Sequence, residues 1–160
     1  MSIFSPEVAL LIIDMVNDSV SRDGSMYAPG AEDIVPAIKQ LSDEARSAGS
    51  PVIYICDMQG TPEAEVALQL KPEPGDFVVR RHQYSSFFGT DLDMLLNEME
   101  VKKLVLTGTA VEICIYFTAA DAYMRGYQII VPEKCVVALS EGDTEAALDQ
   151  MQGLFKAEVI

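Results

Sequence analysis

Short apolar runs alternate along the chain with segments in which apolar residues recur at helical spacing. Val8 to Ile13 is an unbroken run of six apolar residues that ends at Asp14, which is typical of a strand buried on both faces. Similar runs predict five further strands, at 52–56, 77–80, 103–107, 127–131 and 158–160. Apolar spacing, caps and breakers predict helices around 34–45, 90–99, 113–125 and 143–154, and a short one within 60–70.

Strands that alternate with helices of this length indicate βαβ units, a parallel sheet and helices on both of its faces. The sequence therefore predicts an α/β fold with three layers and a six-stranded, mainly parallel sheet. The chain has 160 residues, so we expect residues 1–160 to form one domain.

Composition excludes several functions. The net charge is −14, from 11 basic and 25 acidic residues, and this balance argues against nucleic-acid binding, which depends on basic contacts to phosphate. The longest apolar run near the start is far shorter than the roughly 20 residues that a membrane helix needs. No signal-peptide pattern precedes it, so we expect a cytoplasmic protein without a membrane partner.

Cysteine and histidine are sparse. Cys56, Cys114 and Cys135 are widely spaced and form no CxxC pair, so we expect free thiols and no zinc site. The single histidine, His82, has no triad motif around it, and the scattered carboxylates have no metal-ligand spacing. The sequence predicts neither a metal nor a cofactor.

Polar residues follow three of the predicted strands. Asp14 follows the first strand, Arg80 and Arg81 the third, and a turn ending in Cys114 the fourth. Ligands of open α/β sheets bind beyond the carboxyl ends of the strands, so we expect these side chains to converge. Because alternation along a strand sends neighbours to opposite faces, only one of the two arginines can face the site.

Cys114 and Asp14 are the candidate nucleophile and base, and each has a structural alternative. At a helix start, free amides and the helix dipole lower a thiol's pKa, and a thiolate is a strong nucleophile; Cys114 could equally be a small buried apolar residue. A carboxylate at the mouth of an apolar strand can act as a general base. Asp14 could equally cap a backbone turn.

Four motifs together resemble the isochorismatase-like cysteine hydrolases, a superfamily that includes nicotinamidases, N-carbamoylsarcosine amidases and isochorismatases. Almost the whole chain takes part in the resemblance. The matching segments are 9–18 (ALLIIDMVND), 84–93 (YSSFFGTDLD), 107–114 (TGTAVEIC) and 118–127 (TAADAYMRGY).

The resemblance implies a catalytic set of Asp, Lys and Cys that cleaves an amide-type bond of a small molecule through a thioester. Asp14 and Cys114 match this set. It also implies a cis peptide bond at Thr109–Ala110 and an oxyanion hole formed by the N–H groups of Ala110 and Cys114. We expect Tyr84 and Phe87 of the central motif to line the substrate pocket.

The chain departs from the family pattern in ways that bear on activity. Arg81 occupies the position of the family lysine; it keeps the positive charge but cannot exchange a proton in the usual way. The metal cluster of nicotinamidases has no counterpart between Asp57 and Pro72, and Cys114 argues against the ether cleavage of isochorismatases proper. Three hypotheses about function follow. The protein is a metal-independent C–N hydrolase, or a relative that has lost catalysis and serves in binding or assembly, or a protein that senses redox state through the Cys114 thiol. Relatives usually form dimers or tetramers, so we expect a homo-oligomer.

Overall fold

A computed structural model describes residues 2–57 and 65–160. In chain order its main elements are β1 (Val8–Ile13), α1 (Asn17–Val20), α2 (Ala31–Ser47), β2 (Val52–Asp57), β3 (Phe77–Arg81), α3 (Leu92–Glu98), β4 (Lys103–Thr109), α4 (Tyr116–Met124), β5 (Gln128–Val131), β6 (Val136–Val137), α5 (Asp143–Phe155) and β7 (Glu158–Val159). Single helical turns lie at Leu68–Leu70, Val111–Ile115 and Glu133–Cys135.

The strands form one sheet in the order β3-β2-β1-β4-β5-β7, and β6 pairs with the end of β4. Every described ladder between these strands is parallel. The central strands β1 and β4 are almost wholly buried because both of their faces are covered, and every residue of β1 is apolar.

Two apolar clusters fill the space on either side of the sheet. Alternate residues of β1 divide between them: Leu11 packs with α3, α4 and α5, whereas Leu10 and Ile12 pack with α2. These are the three layers that the sequence predicts. No helix within the described ranges has the length and apolar character that crossing a membrane requires.

The sequence prediction misses one strand and shifts the ends of several elements. The described sheet has seven strands rather than six, because the two-residue β6 also pairs with Gly108 and Thr109 of β4. A strand of that length has no detectable alternation. The helix expected at 113–125 begins instead as a π-helical turn at Val111–Ile115 and becomes α-helical only at Tyr116. Part of the helix expected within 60–70 lies outside the described residues.

Gly108 lets β1 and β4 approach each other just before the nucleophile turn. It has φ +111°, and a Cβ on it would lie 2.0 Å from the carbonyl oxygen of Ile13. Any side chain at this position would push β4 away from the strand that ends at Asp14.

We expect Gly108→Ala to lower the free energy of unfolding by about 3 kcal/mol or more, because both backbone strain and overpacking oppose it. Urea unfolding measures the change. Gly153→Ala in α5 is the matched control, since nothing lies within 4 Å of that Cβ, and it should stabilise the helix by up to about 1 kcal/mol. Equal effects of the two variants would contradict the close approach at Gly108.

Candidate active site

Asp14 ends β1 in an uncommon backbone conformation. Its φ is +52°, a left-handed value that aspartate tolerates better than most residues. Its N–H donates to the carbonyl of Ile55 at 2.9 Å, and its own carbonyl accepts from the Thr109 hydroxyl at 3.3 Å. The backbone on both sides of β1 thus fixes the direction in which the carboxylate points, and the side chain is only 14% exposed.

Arg81 reaches this carboxylate from β3, although β2 lies between the two strands. Its Nη2 donates to Oδ2 of Asp14 and also lies 3.3 Å from Sγ of Cys114. Its Nη1 donates to the carbonyl of Gln83 at 2.6 Å, which holds the guanidinium in place. The side chain is buried, and its Nε is the only buried side-chain nitrogen or oxygen in the described ranges without a hydrogen-bond partner.

Arg80 points away from the site, as strand alternation requires. Its guanidinium pairs with Glu65 at 3.1 Å and donates to the carbonyl of Asp57 at 3.2 Å. The structure therefore brings Asp14, Arg81 and Cys114 together and leaves Arg80 outside. The side chain of His82, the next residue, is exposed.

Cys114 lies within the π-helical turn that joins β4 to α4. The Thr109–Ala110 peptide bond just before this turn is cis, at the position that the family resemblance implies. The carbonyl of Ala110 accepts hydrogen bonds from the N–H groups of both Ile113 and Ile115, which close the turn. The Ala110 N–H stabilises the thiolate form of Cys114.

Burial sets the protonation of the site. Burial, followed by the charge of Asp14, raises the pKa of the Cys114 thiol to about 12, although Arg81 and the Ala110 amide act in the opposite direction. Burial also raises the pKa of Asp14 above the ordinary 3.8, against the lowering effect of Arg81 and of hydrogen bonds from Cys114 and Arg81. The resting pair is therefore a thiol that donates to a carboxylate of increased basicity.

This result corrects the expectation that helix amides make the sulfur acidic. The Ala110 amide does lower the pKa of the Cys114 thiol, but the removal of the sulfur from water raises that pKa by more. Cys56 and Cys135 are also buried, and burial raises the pKa of each to about 11. A low resting pKa therefore does not distinguish Cys114; its contacts with Asp14 and Arg81 do.

Hydroxyl groups fasten the loop after β3 to α4. The Ser86 N–H donates to Oγ1 of Thr118 at 3.0 Å, and the two hydroxyls lie 2.9 Å apart with both residues fully buried. Next to them, Ser85 donates to the carboxylate of Asp121. These bonds hold the segment whose Gln83 carbonyl accepts from Arg81. Sequence reasoning missed them because serine and threonine at these positions look like ordinary turn and helix residues.

The two expected pocket residues differ in position. Tyr84 is largely exposed and stacks on Phe117, with ring centroids 5.7 Å apart. Phe87 lies in the core, stacked on Tyr127 at 6.0 Å, with the Arg125 guanidinium 4.8 Å above its ring. Phe87 therefore packs in the same apolar cluster as Cys114, and its contact with substrate stays a prediction, as does that of Tyr84.

Comparison with known proteins identifies the family. Residues 8–160 match the model of the isochorismatase domain. The chain belongs to the isochorismatase family. It is 36% identical to the uncharacterized isochorismatase family protein YaaI of Bacillus subtilis, over 94% of this chain and 92% of that protein.

Two solved structures of the family show the same fold. One is N-carbamoylsarcosine amidase from Thermoplasma acidophilum, with 32% identity and a TM-score of 0.87 over 96% of this chain and 95% of that one. The other is the pyrazinamidase/nicotinamidase of Streptococcus mutans, with 31% identity and a TM-score of 0.89 over 96% and 99%. Both of these relatives are named as amidases.

Groups of side chains that could bind a metal ion were sought in the described residues. Within 2–57 and 65–160, no group of three or more histidine, cysteine or acidic side chains is arranged to hold a metal ion. Much of the segment between Asp57 and Pro72, where that cluster would fall, lies outside the described residues.

The variant Asp14→Asn tests how the carboxylate in this isochorismatase-family site affects the pKa of Cys114. The pKa of Cys114 should fall below about 12, because the charge and hydrogen bond of Asp14 both raise it and Arg81 then acts unopposed. The pH dependence of iodoacetamide labelling, read residue by residue by mass spectrometry, measures the shift. Cys135 is the internal control, since only burial raises its pKa. An unchanged or higher pKa at Cys114 would contradict the described contacts.

Proposed function

We propose that this protein is a metal-independent hydrolase that cleaves an amide or related C–N bond of a small molecule through a thioester on Cys114. The observation that supports this most strongly is the position of Arg81, whose Nη2 contacts both the Asp14 carboxylate and the Cys114 sulfur. A nucleophile, a base and a fixed positive charge then share one buried site. The named activities of relatives agree with C–N hydrolysis.

In the first half of the reaction, Sγ of Cys114 attacks the substrate carbonyl carbon and its proton passes to Asp14. Asp14 is suited to this step because burial has raised its pKa. The negative charge moves to the substrate oxygen, where the N–H groups of Ala110 and Cys114 would receive it. Asp14 then returns the proton to the nitrogen, the C–N bond breaks, and ammonia or an amine leaves.

In the second half, water attacks the thioester carbonyl and gives a proton to Asp14. The C–S bond breaks, the acid is released, and Asp14 returns its proton to the sulfur. Atoms and protons balance with one water consumed in each cycle. Arg81 exchanges no proton in this scheme; it stabilises charge as it moves between the sulfur, the carboxylate and the substrate oxygen.

Arg81 also supports a second proposal, a family member that binds a small molecule or assembles with other proteins without turnover. The guanidinium already contacts Asp14, Cys114 and the Gln83 carbonyl, so less of its charge is available to a substrate than a lysine would offer. Arg81→Lys restores the family residue and distinguishes the two proposals.

A panel of small primary amides, ureido compounds and nicotinamide tests both. We expect turnover of at least one class, and Cys114→Ala should reduce its kcat by at least about 1000-fold because the nucleophile is lost. Cys135→Ala removes a buried thiol outside the site and should keep nearly full activity. If both the wild type and Arg81→Lys are silent while circular dichroism shows an intact fold, the binding proposal replaces the enzymatic one.

The pH profile of kcat/KM tests whether Asp14 accepts the proton and Arg81 acts only as a fixed positive charge. Activity should fall as the pH drops through the pKa of Asp14, which burial places above 3.8, because the protonated acid cannot accept the thiol proton. No alkaline decrease should arise from residue 81, since arginine stays charged. Arg81→Lys should add one at or below roughly pH 10, because burial lowers a lysine pKa from its usual value. If kcat/KM had the same dependence on alkaline pH in the wild type and in Arg81→Lys, a role for the charge of residue 81 in the reaction would be contradicted.

A further inference from the structure

The guanidinium of Arg81 is held by its own loop. Its Nη1 donates to the carbonyl of Gln83 at 2.6 Å, so the guanidinium moves with the residues that follow β3. The ladder between β2 and β3 ends at the pair of Asp57 and Arg81, and within the described ranges β3 pairs with no other strand. The position of this positive charge therefore depends on what holds the loop after β3.

Helix α4 holds this loop through hydroxyl groups. Oγ1 of Thr118 accepts from the N–H of Ser86 at 3.0 Å, and the two hydroxyls lie 2.9 Å apart. Three residues further along α4, and on the same side of it, Asp121 accepts from the hydroxyl of Ser85. Ser86 and Thr118 are fully buried, so the loss of one hydroxyl would leave the groups of the other residue without a partner.

Further contacts fasten the same loop. Arg125, four residues after Asp121, donates to its carboxylate at 3.1 Å, and the guanidinium lies 4.8 Å from the centre of the Phe87 ring. The hydroxyl of Thr90 donates to the carbonyl of Ser86 at 2.6 Å, which closes the loop on itself. The loop after β3 is therefore attached along one side of α4 rather than at a single point.

The same helical segment carries the nucleophile. The turn that contains Cys114 runs directly into α4, and Thr118 follows Cys114 by four residues, which is about one helical turn. Nη2 of Arg81 lies 3.3 Å from Sγ of Cys114. The bonds between Thr118 and Ser86 therefore join the segment of the sulfur to the segment of the positive charge, about one turn from the place where the two meet.

We infer that Thr118 is a positioning residue, which holds Arg81 at its distance from Cys114. It acts through the buried bonds to Ser86 and touches no reacting atom. The attraction between charges falls with distance, so a loop that moves away would weaken the effect of Arg81 on the thiol and on Asp14 together. The effect of Thr118 on catalysis rests on the proposed function, whereas its effect on Arg81 can be measured without turnover.

Nitrogen-15 NMR of the arginine side chains tests the position of Arg81. Nη1 and Nη2 have different acceptors, so the wild type should give two separate signals for this residue, assigned by their absence from Arg81→Lys. Thr118→Val keeps the shape of the side chain but removes the hydroxyl, and exchange between the two signals should become about tenfold faster or more. Thr118→Ser keeps the hydroxyl and should keep the signals separate.

Thr107→Val is the matched control. It makes the same change at another fully buried threonine, whose hydroxyl donates to the carbonyl of Leu11 at 2.9 Å, and it should leave the Arg81 signals unchanged. If Thr118→Val does not fold, Ser86→Ala removes the partner hydroxyl and should also speed the exchange. Wild-type exchange rates in Thr118→Val, or an equal acceleration in Thr107→Val or Thr118→Ser, would overturn the inference.

Kinetics on a substrate of the wild type test the effect on catalysis. Thr118→Val should lower kcat about tenfold while KM changes less than about twofold, and Thr118→Ser should keep most of the wild-type kcat. The acid limb of kcat/KM should move to higher pH in Thr118→Val, because Arg81 lowers the pKa of Asp14 and would do so less from a greater distance. A raised KM with an unchanged kcat and pH profile would contradict the positioning role. If the wild type turns over no substrate, the proposed function fails, and the exchange of the Arg81 signals alone decides whether Thr118 positions this residue.

Discussion

The buried ion pair between Arg81 and Asp14 is the interaction on which the site depends. Each charge would be costly to bury alone, and removing either partner would leave the other uncompensated. The pair spans the sheet from β3 to β1, and its guanidinium also touches the sulfur that follows β4. Three separate segments are therefore held together at one edge by one side chain, and the unpartnered Nε of Arg81 shows that this arrangement is kept at some cost in stability.

The same burial that requires the ion pair also keeps the proton on Cys114. A thiol deep in an apolar site, beside a carboxylate, is a weak nucleophile at rest and becomes a strong one only as its proton leaves. Asp14 is placed to take that proton, and its raised pKa makes it better able to do so. Nucleophile and base thus form one unit. The positive charge of Arg81 stabilises the negative charge in this buried site, whether that charge is on Asp14 or on the sulfur of Cys114. An arginine stays positively charged at any physiological pH.

Much of this arrangement could be predicted from the sequence because it follows from topology. Parallel strands end at one edge, so polar residues after β1, β3 and β4 were expected to converge. Alternation allowed only one of Arg80 and Arg81 to face the site, and the family resemblance indicated Arg81. The thiol's pKa could not be predicted, since it depends on how much burial outweighs the amides. The bonds of Ser86 to Thr118 join residues far apart in the sequence, and β6 is too short to show a pattern. Phe87 and Tyr84 share one motif, and only packing shows that one is core and the other surface.

The protonation state of Cys114 tests the central claim most directly. An infrared difference spectrum between the wild type and Cys114→Ser would isolate the S–H stretch of this residue. A hydrogen-bonded S–H band that persists through neutral pH and disappears only under strongly alkaline conditions is the expected result, since burial and Asp14 raise the pKa to about 12. A spectrum without that band at neutral pH would reveal a resting thiolate and would contradict a proton held between Cys114 and Asp14.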